Sequence, residues 1–154
     1  MGVAMTEASV QNMLTHAHTG VLVSLRSSGE PVALPVWFVA REGAIFVRTP
    51  ARAKKVARIR ADERVSFLVQ DGLAWRELRG IHISGAARVV DDRDVIAAVG
   101  AAIDEKYAAF RTAPAARSQA TNAHYAERVV IHVSPTSVIS WDNGLLAGES
   151  RPGR

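Results

Sequence analysis

Cysteine is absent from the 154-residue chain, which excludes disulfides, Cys-ligated zinc, iron–sulfur clusters and a thiol nucleophile. No apolar run approaches the roughly 18 residues that a membrane span needs. Met1 to Gln11 lacks the basic-then-apolar pattern of a signal peptide, so the expectation is a cytoplasmic, soluble protein with no membrane partner. Catalytic signatures are missing as well. There is no Gly-x-Ser-x-Gly, no Gly-x-Gly-x-x-Gly and no phosphate-binding Walker loop. Of the five histidines, His16 and His18 have no carboxylate at metal-ligand spacing, and His82 and His132 read as structural residues of strands, so no metal site is expected. A chain with so little reactive chemistry of its own, if it is an enzyme, takes its reactivity from a cofactor.

What the chain does have is apolar material for one core, 48% hydrophobic against 22% charged residues. Its length suits one domain spanning 1–154, with the ends 1–5 and 146–154 expected to be flexible. Thr6 to Ala17 has helical spacing with Thr6 as the cap. Gly20–Arg26, Val32–Ala40 and Ala44–Thr49 alternate like strands and are separated by Ser-Ser-Gly-Glu-Pro and Arg-Glu-Gly turns. Together they predict a three-strand antiparallel meander.

Thr49-Pro50 then reads as the cap and first residue of a helix whose apolar stripe is Ala53, Val56, Ala57 and Ile59. A strand from Arg64 to Gln70 and a long one from Leu78 to Val90 follow, the latter with bulge candidates at Gly80 and Gly85. A helix starts at Asp91-Asp92 and runs through Tyr107, Thr112 to Asn122 is a loop entering a short helix, and two strands around Ser134-Pro135 close the chain. About seven mostly antiparallel strands with flanking helices make this a mainly β (α+β) fold. Closure into a small barrel removes its edges.

Charge is concentrated in one segment. Between Arg48 and Arg64 stand seven basic residues (Arg48, Arg52, Lys54, Lys55, Arg58, Arg60, Arg64) against Asp62 and Glu63, while the whole chain carries a net +4. A helix N-terminus is an anion site by construction. A phosphate there would meet the backbone of the Thr49 to Ala53 turn, the Thr49 hydroxyl, Lys54 and Lys55. Charge alone leaves a solvated basic helix face equally open. A nucleic-acid surface is the weaker reading, because neither interleaved aromatics nor a helix-turn-helix accompanies the segment. Pro35 inside a strand marks an edge, a bulge or a place where a ligand takes over the backbone pairing. Trp37 and Phe38 just beyond it point to opposite faces, so one of them fills the core while the other could wall a flat ring.

These residues resemble the split β-barrel family of pyridoxamine 5′-phosphate oxidase and its flavin and deazaflavin relatives. The resemblance runs from about Thr19 to Leu145. It rests on the Gly20–Arg26 strand with its turn, on Leu34-Pro-Val-Trp-Phe-Val39, and on Thr49 followed by Ala53-Lys-Lys-Val56. Ile59–Val69, Leu78–Arg88 and Ser140-Trp-Asp-Asn-Gly144 complete it. The resemblance implies an FMN-binding-protein-like split barrel that forms a homodimer, with a flavin or deazaflavin in a groove between subunits.

By that resemblance Lys55 is the phosphate-binding lysine and Lys54 the basic residue before it, and Thr49, Pro50, Arg52 and Ala53 belong to the same turn. Ala53 stands where oxidases commonly carry serine. Pro35, Val36, Trp37 and Phe38 match the strand whose backbone faces the ring system, and Trp75, Arg79 and Trp141 are candidates for lining the groove. The Pro-Val-Trp-Phe strand, Arg79-Gly80 and the Ser-Trp-Asp ending resemble the branch that uses coenzyme F420, with FMN as the alternative. The implied activity is that of an F420-dependent reductase passing hydride to a small unsaturated organic acceptor. The alternative is an FMN-dependent oxidase or reductase, or a non-catalytic flavin carrier.

Overall fold

Alternation of apolar residues sets up seven strands, and the computed structural model describes residues 3–146. The strands are β1 (Gly20–Leu25), β2 (Pro31–Val36), β3 (Val39–Arg41), β4 (Ala44–Pro50), β5 (Arg64–Asp71), β6 (Arg79–Val90) and β7 (Arg128–Asp142). All pair antiparallel in one sheet of order β2-β1-β5-β6-β7-β4-β3. The helices are α1 (Glu7–His16), α2 (Lys54–Ala61), α3 (Arg93–Lys106) and α4 (Gln119–His124).

The sheet order corrects the expected meander. β2 and β3 are read from one continuous apolar run, yet they stand at opposite edges of the sheet, joined only by Trp37 and Phe38. The three Cα steps from Val36 to Val39 span at most about 11 Å, so the sheet must curl until its two edges nearly meet. That curl makes the barrel. The end of the chain also differs from expectation: in place of two strands around Ser134-Pro135 there is the single long β7. Proline is accommodated because the β6–β7 register slips between Ser84 and Gly85, which sets Gly85 against Pro135. A Cβ on Gly85 would lie 2.4 Å from the Ser134 carbonyl oxygen, so the bulge needs glycine.

Closure creates an inside and an outside. Inside, Leu22, Phe38, Ile45, Val47, Phe67, Val69, Ile81, Ile83 and Ile131 pack together, with Met13 and Leu14 of α1 and Val56 and Ile59 of α2 added. Each such side chain, fully buried, contributes roughly 1.5–3 kcal/mol. Outside, Val99 and Ile103 of α3 and the following Tyr107 cover Val39, Phe46, Val90 and Val130. Strand β4, between β7 and β3, is therefore apolar on both faces, from Ala44 to Val47.

Capping sets the helix ends. Thr6 accepts from the Ser9 amide at the start of α1, and Asp92 accepts from the amides of Asp94 and Val95 at the start of α3. The expected helix at Thr49-Pro50 starts later. Thr49 and Pro50 are strand residues paired with Val129 and Arg128, and α2 begins at Lys54 with Ala53 at the cap and no side-chain cap bond. At the other end of the chain Val3 accepts from the Asp142 amide at 2.9 Å, and the Met5 amide donates to Ser140 Oγ at 3.1 Å. Residues 1–2 and 147–154, to which part of the expectation of flexible ends applies, lie outside the described residues.

Candidate functional site

The basic segment resolves residue by residue. Arg48 turns toward α3, donating to the Gly100 carbonyl at 3.3 Å and pairing with Asp104 at 2.5 Å. Arg58 donates to the buried Ser24 hydroxyl at 3.0 Å, so its charge serves the α2–β1 packing. Arg64 pairs with Asp62 at 2.7 Å, and this bond holds the Asp62 carboxyl down at about 2. Arg52, Lys54 and Arg60 are exposed. The solvated-face reading is thus right for part of the segment.

Lys55 is different. It lies in the first turn of α2, half buried, and its Nζ donates to Thr49 Oγ1 at 3.3 Å. Burial pushes its pKa below the ordinary lysine value, and the neighbouring Arg58 adds in the same direction. Among the described residues no carboxylate pairs with it. Thr49 is itself buried, and in accepting from Lys55 it keeps its own hydroxyl hydrogen free to donate.

The start of α2 is open in the same place. Ala53 supplies no cap, and among the described residues the amides of Lys54 and Lys55 have no hydrogen-bond partner. One half-buried ammonium, one hydroxyl and two amides therefore meet at a helix N-terminus, with nothing negative among them. A phosphate fits this donor set.

Pro35 and Val36 lie on the edge strand β2, whose single neighbour is β1. Pro35 is exposed and Val36 buried. The link then sends its two aromatics apart. Phe38 enters the inner core, with its ring 4.9 Å from Phe67. Trp37 turns outward and stacks on Tyr107, centroids 4.4 Å apart and planes 3° from parallel. Tyr107 holds the link in place. Its hydroxyl accepts from the Phe38 amide at 2.9 Å, and its one hydrogen is shared between the carbonyls of His18 at 2.8 Å and Phe38 at 3.0 Å.

Trp75, Arg79 and Trp141 lie elsewhere. Trp75 is 60% exposed, its carbonyl accepting from Asn143 Nδ2 at 2.8 Å. Arg79 pairs with Asp71 at 2.8 Å across β5 and β6. Trp141 covers Gly80, where a Cβ would come within 2.3 Å of its ring. Thr49 pairs with Val129 and Gly80 with Trp141. The two groups are thus roughly 40 Å apart along β7 at about 3.3 Å per residue.

Sequence reasoning missed a cleft of about 440 Å³ bordered by Trp37, Thr49 and Pro50 on one side and by the segment from Phe110 to Arg128 on the other. Its arginines at 111, 117 and 128 are far apart in sequence and gather only when the loop after α3 folds back over β4. The one available signal was the run of three basic residues between Arg111 and Arg128 in a stretch poor in large apolar residues. Among the described residues no group of three or more His, Cys, Asp or Glu could hold a metal. No described helix is long and apolar enough to cross a membrane.

No curated protein matches the chain. A conserved hypothetical protein from Mycobacterium tuberculosis is 28% identical, with a TM-score of 0.80 over 99% of this chain and 95% of that one. An F420 reductase is 23% identical, with a TM-score of 0.65 over 83% of this chain and 94% of that one. A FAD-binding protein from Mesorhizobium loti is 15% identical, with a TM-score of 0.68 over 91% of this chain and 96% of that one. The protein family described as pyridoxamine 5′-phosphate oxidase matches residues 6–142. With the curled seven-strand sheet and its flanking helices, that match places the chain in the pyridoxamine 5′-phosphate oxidase family, as a split β-barrel.

Proposed function

We propose that the chain is an oxidoreductase that binds a phosphate-bearing deazaflavin, coenzyme F420, with its phosphate at the start of α2. The observation that carries this is Lys55: a half-buried ammonium bonded to Thr49 Oγ1, with no carboxylate partner, beside two open helix amides. A partly desolvated cation without a counter-charge is costly, and a bound phosphate offsets that cost. In this reading Lys55, Thr49 and the amides of Lys54 and Lys55 hold the phosphate, with exposed Arg52 and Lys54 adding long-range attraction. The open edge of β2 at Pro35 and Val36 offers backbone polar groups to a flat heterocycle, and Pro35 itself offers no N–H there.

When bound, the coenzyme supplies a hydride to an unsaturated organic acceptor. The chain's residues then orient it and exclude water. Trp75, Arg79 and Trp141 are too distant along β7 to serve the same copy's phosphate site. We assign them to the groove of a second copy in a homodimer.

Similarity to an F420 reductase supports the deazaflavin, and similarity to a FAD-binding protein keeps FMN as the second reading. Fluorescence titration with F420 and with FMN separates them. Saturation by F420 at micromolar concentration is expected. Binding of FMN alone establishes the second reading, and binding of neither overturns both.

A further inference from the structure

The arginine cleft on the outer face of β4 is chemically unlike the Lys55 site. Arg48, Arg111, Arg117 and Arg128 line it, and no acidic side chain does. Asp104, just outside, pairs with both Arg48 and Arg111, so one carboxylate stands against four guanidiniums. Arg117 donates to the Thr112 carbonyl. Arg128 Nε donates to the Tyr125 carbonyl at 3.0 Å, and its guanidinium lies 5.5 Å from the Tyr125 ring centre. Among the described residues the two terminal nitrogens of Arg128 have no partner.

These cations feel one another. Burial lowers the pKa of Arg128, and the charges of Arg48, Arg111 and Arg117 lower it further. Burial, then Arg48 and Arg117, act likewise on Arg111. Three aromatic side chains, Trp37, Phe110 and Tyr125, complete the walls. Phe110, 61% exposed, is held edge-on against His18 with centroids 4.5 Å apart.

We propose that this cleft binds a small organic polyanion: a flat aromatic or conjugated body carrying two or three carboxylates. The charge excess calls for more than one negative group. Guanidiniums are planar forks that match carboxylates bidentately, and four of them spread around a cleft suit charges spread around a ring better than charge concentrated in one phosphate. The aromatic walls take the flat body, and the volume is within the range of small-ligand sites.

The cleft adjoins the Lys55 site and shares Thr49 and Pro50 with it, but Lys55 does not line it, and its arginines gather on the α3 side of β4, toward which Arg48 points. It stands whether or not the chain proves to be a deazaflavin enzyme.

Calorimetric titration of the full-length protein with trimesate, a benzene ring carrying three carboxylates, tests it against benzoate and inorganic phosphate. Trimesate is expected to bind saturably below about 1 mM, with benzoate and phosphate each weaker by roughly tenfold or more. Arg117→Gln and Arg128→Gln should each weaken trimesate by roughly tenfold, Arg117→Lys by less, and Arg60→Gln and Lys55→Ala not at all. Circular dichroism checks that each variant is folded. Absence of saturable trimesate binding overturns the proposal, as does phosphate binding as tightly. Loss of binding in Lys55→Ala also overturns it, by moving the anion to the α2 site. Equal loss in Arg60→Gln does so by reducing the effect to overall charge.

Discussion

Lys55 shows how much one side chain can be made to carry. Its charge is one of seven basic residues in its stretch of sequence, yet Arg48, Arg58 and Arg64 are spent on Asp104, Ser24 and Asp62, while Lys55, half buried without a carboxylate, stands at the uncapped start of α2. Lys55→Ala should therefore weaken cofactor binding by roughly tenfold or more. Arg26→Ala should leave it unchanged, since Arg26 is exposed and meets only Glu30 at 3.6 Å. Comparable losses in a binding titration would remove the phosphate site. Gly20 is a second such residue: a Cβ there would lie 2.1 Å from Phe67 Cζ, in a ring with no exposure that is wedged against Phe38. Gly20→Ala is expected to cost about 1–3 kcal/mol, read as a lower urea midpoint with an unchanged slope. No loss would mean that Phe67 has room to move.

At the scale of elements, the sequence was legible wherever a cap or a period governs. Thr6 and Asp92 start α1 and α3 as read, and Gly85 marks the slip in the β6–β7 register. It misled at Thr49-Pro50, where good capping chemistry lost to the pairing of β4 with β7. It misled again over Val32–Ala40, one apolar run that becomes two strands because the chain crosses there from one edge of the sheet to the other. That crossing is held by Tyr107. Tyr107→Phe leaves the buried Phe38 amide without its acceptor and should cost about 1–3 kcal/mol. Hydrogen exchange would show the Phe38 amide losing its protection. Unchanged protection there would mean that another acceptor replaces the tyrosine.

Over the whole molecule, Lys106 stands between the two cores. Its Nζ donates to the Phe38 carbonyl at 3.0 Å and lies 4.1 Å from the Phe38 ring centre. Burial lowers its pKa from 10.5 to about 8. Between these values the unfolded chain holds the extra proton, so this group's contribution to stability rises with pH. The penalty is full below pH 8 and relieved above it. Lys106→Met should gain on the wild type at neutral pH, with the gap closing as pH rises from about 8 toward 10.5. Urea unfolding at several pH values measures it, and a gap independent of pH would refute the assignment.

On the far half of β7, the adjacent Val138 and Ile139 are 50% and 51% exposed. Successive strand residues face opposite ways, so neither face of β7 is fully covered there, as a homodimer surface would leave it. If this surface joins two copies, Ile139→Glu should turn a dimer into a monomer in sedimentation velocity, and a variant of unchanged mass, or a monomeric wild type, would refute it. The sequence by itself determined where strand and helix character lies, the caps of α1 and α3, the basic segment and the family resemblance, because local periods and spacings encode them. Only the tertiary structure decided which of seven like charges is half buried at an open helix start without a counter-charge. It alone showed that arginines from β4, the loop after α3 and β7 share one cleft, because charge pairing depends on distances that barrel closure sets.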